Sequence, residues 1–325
     1  MTIPPPFRSR IGSKSDREFL LDPPERPVDL IGPGLLWRGS KMLVSAPYKA
    51  GKSTLCNQIC FGLVGTHTLF EPLQSDGTHS VLYVQLEMHE FIVYERRMAA
   101  GVEPSDKLWV ASPRNLKIDG DGYNNLRQEI AGLRPDVVIL DPLYKLHNRD
   151  ENDAGDMQIV FDRLDELVYD FNIGLILIHH QRKAFNGPGG DLSSPVERAR
   201  GTSKMEDWPD TLVAIDADRT RDLRHLHFVC RRNPDMETIT LHYDRQTNLY
   251  VVGTGNNNEV NAWAEASCPL PRTEFIQLLA VGFGLTDNEA ASHLRRMQRN
   301  GLVRTERIKG SNHNEVMIVW GKEDK

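Results

Sequence analysis

Cysteine is scarce in this chain: Cys56, Cys60, Cys230 and Cys268 are the four among 325 residues. They are too few and too scattered for a disulfide scaffold, and no two form a CxxC pair of the zinc type. That fits a reducing cytoplasm. Long hydrophobic runs are missing too. Stretches such as 137–140 and 175–178 fall far short of the roughly 18 apolar residues a membrane span needs, so no transmembrane helix is expected. Positive charge is not in excess: 39 Lys plus Arg against 45 Asp plus Glu leave a net charge of −6. A coat protein that condenses nucleic acid by bulk charge is thereby excluded, whereas a local basic patch is not. The N-terminus carries Arg8, Arg10, Lys14 and Arg17, but no apolar segment follows, so it is not a signal peptide. Residues 1–25 read as a flexible arm. No internal repeat is visible.

What is present is a soluble composition, 39% hydrophobic and 26% charged, long enough for about two domains of roughly 150 residues. Short aliphatic runs alternate with longer amphipathic stretches, the pattern of a parallel α/β sheet. Strands are expected at 41–46, 81–86, 137–140, 173–179 and 211–215, with helices at 88–100 and 156–171. The third and fourth strands are nearly continuous in apolar residues, as central parallel strands covered on both faces should be. Segments 226–230 and 238–243 suggest an antiparallel hairpin extending the sheet. A glycine-containing polar stretch at 253–258 reads as a linker (253–266) between a first domain at 26–252 and a second domain at 267–325. The latter has helices at 272–279 and 287–300, a turn at 282–284, and two strand-like runs at 303–308 and 316–320, the outline of a winged helix.

The strongest motif is Ala46, Pro47, Tyr48, Lys49, Ala50, Gly51, Lys52, Ser53 and Thr54, which match the P-loop pattern A/G-x4-G-K-S/T. A strand precedes it and a helix follows, as its mechanism requires. The glycine lets backbone N–H groups curl around phosphates at a helix N-terminus, Lys52 reaches the β- and γ-phosphates, and the Ser53 hydroxyl is a Mg²⁺ ligand. Nucleotide binding, with ATP and Mg²⁺ as cofactors, is the expectation. Cys56 and Cys60 lie four apart on the following helix and are read as core.

Two carboxylates close strands. Asp141 ends the third, at the sheet edge where ligands of α/β proteins bind, and is the candidate Walker B acid for Mg²⁺; the competing reading is a turn aspartate before Pro142. Glu87 ends the second and is the candidate base for the water that attacks the γ-phosphate. Its competing reading is a helix N-terminal glutamate favoured by the dipole. His179 and His180 end the fourth strand, and strand alternation lets only one of them face the nucleotide. His180 is the choice, against a plain structural histidine.

Taken in order, these residues resemble the RecA-like ATPases, and within them the RepA-like hexameric replicative helicases of plasmids and phages. The resemblance spans roughly residues 26–252. It rests on Lys49 to Ser53, on Leu86 and Glu87, on 138–143, on His179 to Lys183 and on Ala199 to Ser203. It implies Glu87 as catalytic base and active sites between subunits of a homo-oligomeric ring, completed by an arginine of the neighbour. Arg231 and Arg232 stand in the matching region, with a solvated basic turn as the alternative. It also implies single-stranded DNA in a central channel lined by loops at 147–155 and 182–194. The first is acidic, so DNA binding is expected on the second, through Arg182 and Lys183, beside the flexible Gly187, Pro188, Gly189 and Gly190.

The tail adds an independent hint. Arg295, Arg296, Arg299, Arg304, Arg307 and Lys309 face one acid, Glu306, between 295 and 309. Arg295, Arg296, Arg299 and Lys309 are therefore candidate DNA contacts, duplex included, against the reading of this domain as a protein-docking module. The function expected is Mg²⁺-dependent ATP hydrolysis coupled to DNA binding or translocation in a mobile element, phage or plasmid. The runner-up is an ATP-switched initiator or regulator that binds DNA without unwinding it, and a filament-forming recombination mediator is a third possibility.

Overall fold

The computed structural model describes residues 12–181, 205, 207–218, 223–232, 236–244, 247–252, 263–283, 287–299, 302–309 and 314–321. A short helix α1 (Asp16–Leu21) and a small hairpin of β1 (Asp29–Ile31) and β2 (Leu36–Trp37) lead into the main sheet. Six strands of that sheet run parallel: β3 (Lys41–Ala46), β4 (Val81–Gln85), β5 (Leu108–Ala111), β6 (Val137–Asp141), β7 (Gly174–His180) and β8 (Thr211–Asp218). Antiparallel strands β9 (Leu223–Cys230), β10 (Ile239–Asp244) and β11 (Leu249–Val252) extend it. The spatial order is β11-β10-β9-β8-β3-β7-β6-β4-β5.

Strand alternation sorts the core into two layers. Met42 and Val44 of β3, Tyr83 of β4, Ile139 of β6 and Ile178 of β7 pack on one face against Leu55 and Ile59 of α2 (Lys52–Leu63). Leu43, Leu82, Leu140 and Leu177 point to the other face. There they meet Leu126 and Ile130 of α4 (Gly122–Leu133) and Leu164 and Leu167 of α5 (Ala154–Phe171). Each fully buried aliphatic side chain contributes about 1.5–3 kcal/mol. The two packed faces therefore hold the carboxyl edge of the strands in fixed geometry.

All five expected core strands form. Between β4 and β6, however, the chain builds more than the one helix read from sequence. Helix α3 (Glu90–Ala99) is followed by β5 and α4. The α4 signal was present, since Tyr123, Leu126 and Ile130 recur at helical spacing and are buried. Strand β5 is a four-residue edge strand with little full burial, so its pattern is faint. Within the segment read as an arm, α1 forms a helix closed by a capping box: Ser15 Oγ accepts from Glu18 N, and Glu18 Oε2 accepts from Ser15 N. None of its residues is buried.

In the C-terminal segment, β12 (Leu270–Pro271), β13 (Val303–Lys309) and β14 (Asn314–Trp320) form an antiparallel sheet in the order β12-β14-β13. It packs with α6 (Arg272–Phe283) and α7 (Asp287–Arg299) around Phe275, Leu279, Leu294, Met297, Val303 and Ile318. Helix α6 continues through Gly282 and Phe283, where the sequence suggested a turn. A glycine inside a helix costs only about 1 kcal/mol relative to alanine, less than one buried aromatic contributes. The segment read as a linker lies mostly outside the described residues. No helix among the described residues is long and apolar enough to cross a membrane.

Candidate functional site

Four neighbouring strands, β3, β7, β6 and β4, each deliver one chemical group to the same carboxyl edge. Strand β3 ends at Ala46 and turns through Lys49 (φ 59°) and Gly51 (φ 94°) into α2. No side chain caps the start of α2, so its first backbone N–H groups form a ready anion site. Lys52 is buried, and its Nζ donates to the carbonyls of Ala46 (2.9 Å) and Pro47 (3.0 Å). Burial lowers its pKa to about 8, against the opposing pull of Asp141 and Glu87. The ammonium thus lies folded over the loop that it serves.

Asp141 ends β6 and is almost fully buried. Its Oδ2 accepts from the Tyr83 hydroxyl at 2.8 Å, and its carboxylate also accepts from the Ser53 hydroxyl. Burial raises its pKa, while Tyr83, Ser53 and Lys52 pull the other way. Across the ladder from Asp141 stands Gln85, the last residue of β4. The buried Gln85 Oε1 accepts from Glu87 N (2.5 Å) and Met88 N (2.7 Å), folding the turn that presents Glu87. One carboxylate oxygen of Glu87 accepts from the Tyr144 hydroxyl at 3.2 Å, and the other lies 3.5 Å from His180 Nε2.

His180 stands opposite Ala46 in the β3–β7 ladder, at the mouth of the P-loop. Burial and the nearby Lys52 lower its pKa, so its imidazole is neutral at pH 7. His179 points the other way, as alternation requires. It is buried, with Nδ1 3.1 Å from Ser45 Oγ and Nε2 3.9 Å from Glu151 Oε2.

The P-loop is braced from the antiparallel side of the sheet. Arg224 Nε on β9 donates to Ala50 O at 3.0 Å. Tyr250 on β11 exchanges two hydrogen bonds with the Gln58 amide, 2.7 and 2.8 Å, which ties β11 to α2. Its hydroxyl lies 3.5 Å from the carbonyls of Ala50 and Gly51. A Cβ on Gly51 would fall 1.6 Å from that hydroxyl, at a φ that L residues avoid. Gly51→Ala is therefore expected to cost about 2–4 kcal/mol and lower the melting temperature by roughly 5–10 °C. Differential scanning fluorimetry without added nucleotide tests this; an unchanged melt would mean the loop yields freely.

The remaining residues singled out from sequence divide into three groups. Arg231 and Arg232 follow β9 at the opposite edge of the sheet from their own P-loop, because Cys230 pairs with Thr211 at the start of β8. Arg231 Nη1 lies 3.4 Å from Asp210, and Arg232 Nη1 lies 3.2 Å from Asp29, its guanidinium over the Trp37 ring. Arg182 and Lys183 lie outside the described residues, as do the side chains of Arg296, Arg299 and Lys309; Arg295 is exposed on α7. Cys56 and Cys60 lie on the buried face of α2, and burial holds both as thiols, Cys60 up to about 12. Sequence reading passed over Tyr83, Gln85, Tyr144, Arg224 and Tyr250. Gln85 and Tyr144 lie within three residues of the strand-end carboxylates and were open to suspicion. Nothing local marks Arg224 or Tyr250.

A strand, a glycine turn with a buried lysine, and carboxylates on adjacent strand ends define a P-loop ATPase of the RecA-like fold. The family model described as AAA domain matches residues 5–186, over half the chain, and the chain belongs to that family. Its fold is similar to that of a DnaB-like replicative helicase, described together with its interactions with primase. That likeness has a TM-score of 0.52 and 12% identity, covering 66% of this chain and 57% of that one. A KaiC-like protein from the hyperthermophilic archaeon Pyrococcus horikoshii OT3 scores 0.46 at 14% identity, over 70% of this chain and 99% of that one. At 12% identity the likeness to the DnaB-like helicase is one of fold.

Proposed function

We propose that this chain hydrolyses ATP with Mg²⁺ and uses the cycle to act on DNA as an oligomeric motor. The observation that carries the reading is the convergence of Lys52, His180, Asp141 and Glu87 from four adjacent strands onto one P-loop. The donor set suits the metal: a buried carboxylate bonded to a serine hydroxyl offers the hard oxygens Mg²⁺ prefers while leaving room for water and phosphate ligands. Ser53 and Asp141 would hold it, and when bound it supplies charge neutralisation at the phosphates.

The chain's own groups do the rest. The N-terminus of α2 and Lys52 bind the triphosphate, with the ammonium transferring its hydrogen bonds from Ala46 and Pro47 to phosphate oxygens. Glu87 accepts the proton of the attacking water. The neutral His180 offers one hydrogen bond beside it and reports on the phosphate through β7. A polar cleft lined by Thr54, Asn57, Arg96, Tyr243 and Asn248 opens beside the α2 N-terminus and suits the nucleoside end. Arg231, 58% exposed in its side chain, is the better placed of the arginine pair to serve a neighbouring subunit, once released from Asp210 and the Asp207 carbonyl.

DNA contact is assigned to the loop carrying Arg182 and Lys183 and to the C-terminal segment, at 267–325, read as a winged helix. Two helices and a three-stranded antiparallel sheet around one small core support that reading, with exposed Arg295 on the second helix. The same segment favours the second reading, an ATP-switched regulator that grips a duplex. The decisive experiment measures the ATPase rate with and without single-stranded DNA and images the particles by electron microscopy. Stimulation of at least several-fold with closed rings is expected; an unstimulated rate with tight duplex binding would favour the regulator.

A further inference from the structure

Tyr144 stands on the short 3-10 turn Leu143–Lys145 that follows β6. The turn is firmly seated. Leu143 and Leu146 on either side are fully buried, Lys145 N donates to Pro142 O, and Leu146 N donates to Leu143 O at 2.8 Å. From this base the Tyr144 hydroxyl donates to Glu87 Oε1 at 3.2 Å. Its ring meets the His180 imidazole edge-on, with centroids 5.4 Å apart and planes at 83°. One side chain therefore touches both groups proposed to handle the attacking water. Burial and the Glu87 charge push its hydroxyl up to about 12, so it remains a donor at working pH.

Glu87 needs such a partner. It stands past the end of β4, on a turn, with its side chain 34% exposed. A glutamate so placed samples several rotamers, and a general base works only when held within hydrogen-bond reach of its proton. We infer that Tyr144 is a positioning residue: it holds one oxygen of the Glu87 carboxylate and the plane of the His180 ring, leaving the second oxygen, beside His180, to take the proton. This rests on the reading of Glu87 as the base.

Tyr144→Phe keeps the ring and removes the hydroxyl from a partly exposed site, so the fold should be unaffected. The expected result is a fall in kcat of about tenfold, with KM for ATP and the affinity for a fluorescent ATP analogue changed less than twofold. In a Glu87→Gln background, Tyr144→Phe should add no further slowing in single-turnover assays, because the hydroxyl acts through Glu87. In protein carrying carbon-13 tyrosine and no nucleotide, the Cζ resonance deleted by Tyr144→Phe should move in Glu87→Gln. A kcat within twofold of wild type, an equal slowing in both backgrounds, or an unmoved resonance overturns the inference. Wild-type turnover by Glu87→Gln would remove the base itself, and the inference with it. An inactive Glu87→Gln beside a normal Tyr144→Phe removes only the positioning role.

Discussion

Glu87→Gln is expected to bind ATP like the wild type and to hydrolyse it about 10² to 10⁴ times more slowly, the range a positioned general base supplies. The substitution is nearly isosteric, and an amide oxygen can still accept from the Tyr144 hydroxyl. The turn itself is held by Gln85 through backbone N–H groups that the change leaves alone. What disappears is the basic oxygen beside His180. Binding is expected to be preserved because the proposed triphosphate contacts, the α2 N-terminus and Lys52, lie elsewhere. Fluorescent-nucleotide titration together with single-turnover hydrolysis separates the two effects. Wild-type turnover would falsify the assignment of Glu87.

Lys52→Met should do the reverse to binding and something less usual to stability. Removing a charge-assisted hydrogen bond to phosphate typically loses about 1.5–3 kcal/mol, so nucleotide affinity is expected to fall by roughly 10- to 100-fold or more. Yet the ammonium is unfavourably buried, with a pKa of about 8 in the folded chain against an ordinary 10.5. Between those values the unfolded chain binds more protons than the folded one. Stability without nucleotide therefore rises as pH climbs from about 8 to 10.5, and below pH 8 the burial penalty is felt in full. Each pK unit is about 1.4 kcal/mol, which makes the penalty on the order of 3 kcal/mol. Lys52→Met removes it. The variant should melt higher than wild type at pH 7 and lose the rise in melting temperature between pH 8 and 10. A lower melt with the same pH slope would show that the two carbonyl hydrogen bonds outweigh the desolvation.

How far this site could be read from sequence depends on the reach of each interaction. Lys52, Asp141, Glu87 and His180 all close or follow aliphatic runs, and the end of a strand is a local property. The order β3-β7-β6-β4, which makes those ends neighbours, is not chain order. It comes from which strand edges pair. Strand alternation lets only one of His179 and His180 face the P-loop, and the two have opposite surroundings in the structure. Helix α4 was missed although Tyr123, Leu126 and Ile130 carry its period. Strand β5, a short edge strand, left only a faint pattern, and the braces Arg224 and Tyr250 had no local signature, because their partners lie far along the chain. The pairings of Arg231 with Asp210 and Arg232 with Asp29 are likewise tertiary.

The bracing of the P-loop by β9 and β11 also bears on the order in which this protein matures. Arg224 meets Ala50 across 174 positions of chain, and Tyr250 meets Gly51 across 199. At about 5–20 residues per second of synthesis, a nascent chain carries a finished P-loop sequence for roughly 10–40 s before its supports leave the ribosome. The segment matched by the AAA domain family ends at residue 186, ahead of both. A chain halted there holds the P-loop, Glu87, Asp141 and His180 and lacks the strands that brace the loop, so the loop gains its last supports late in translation.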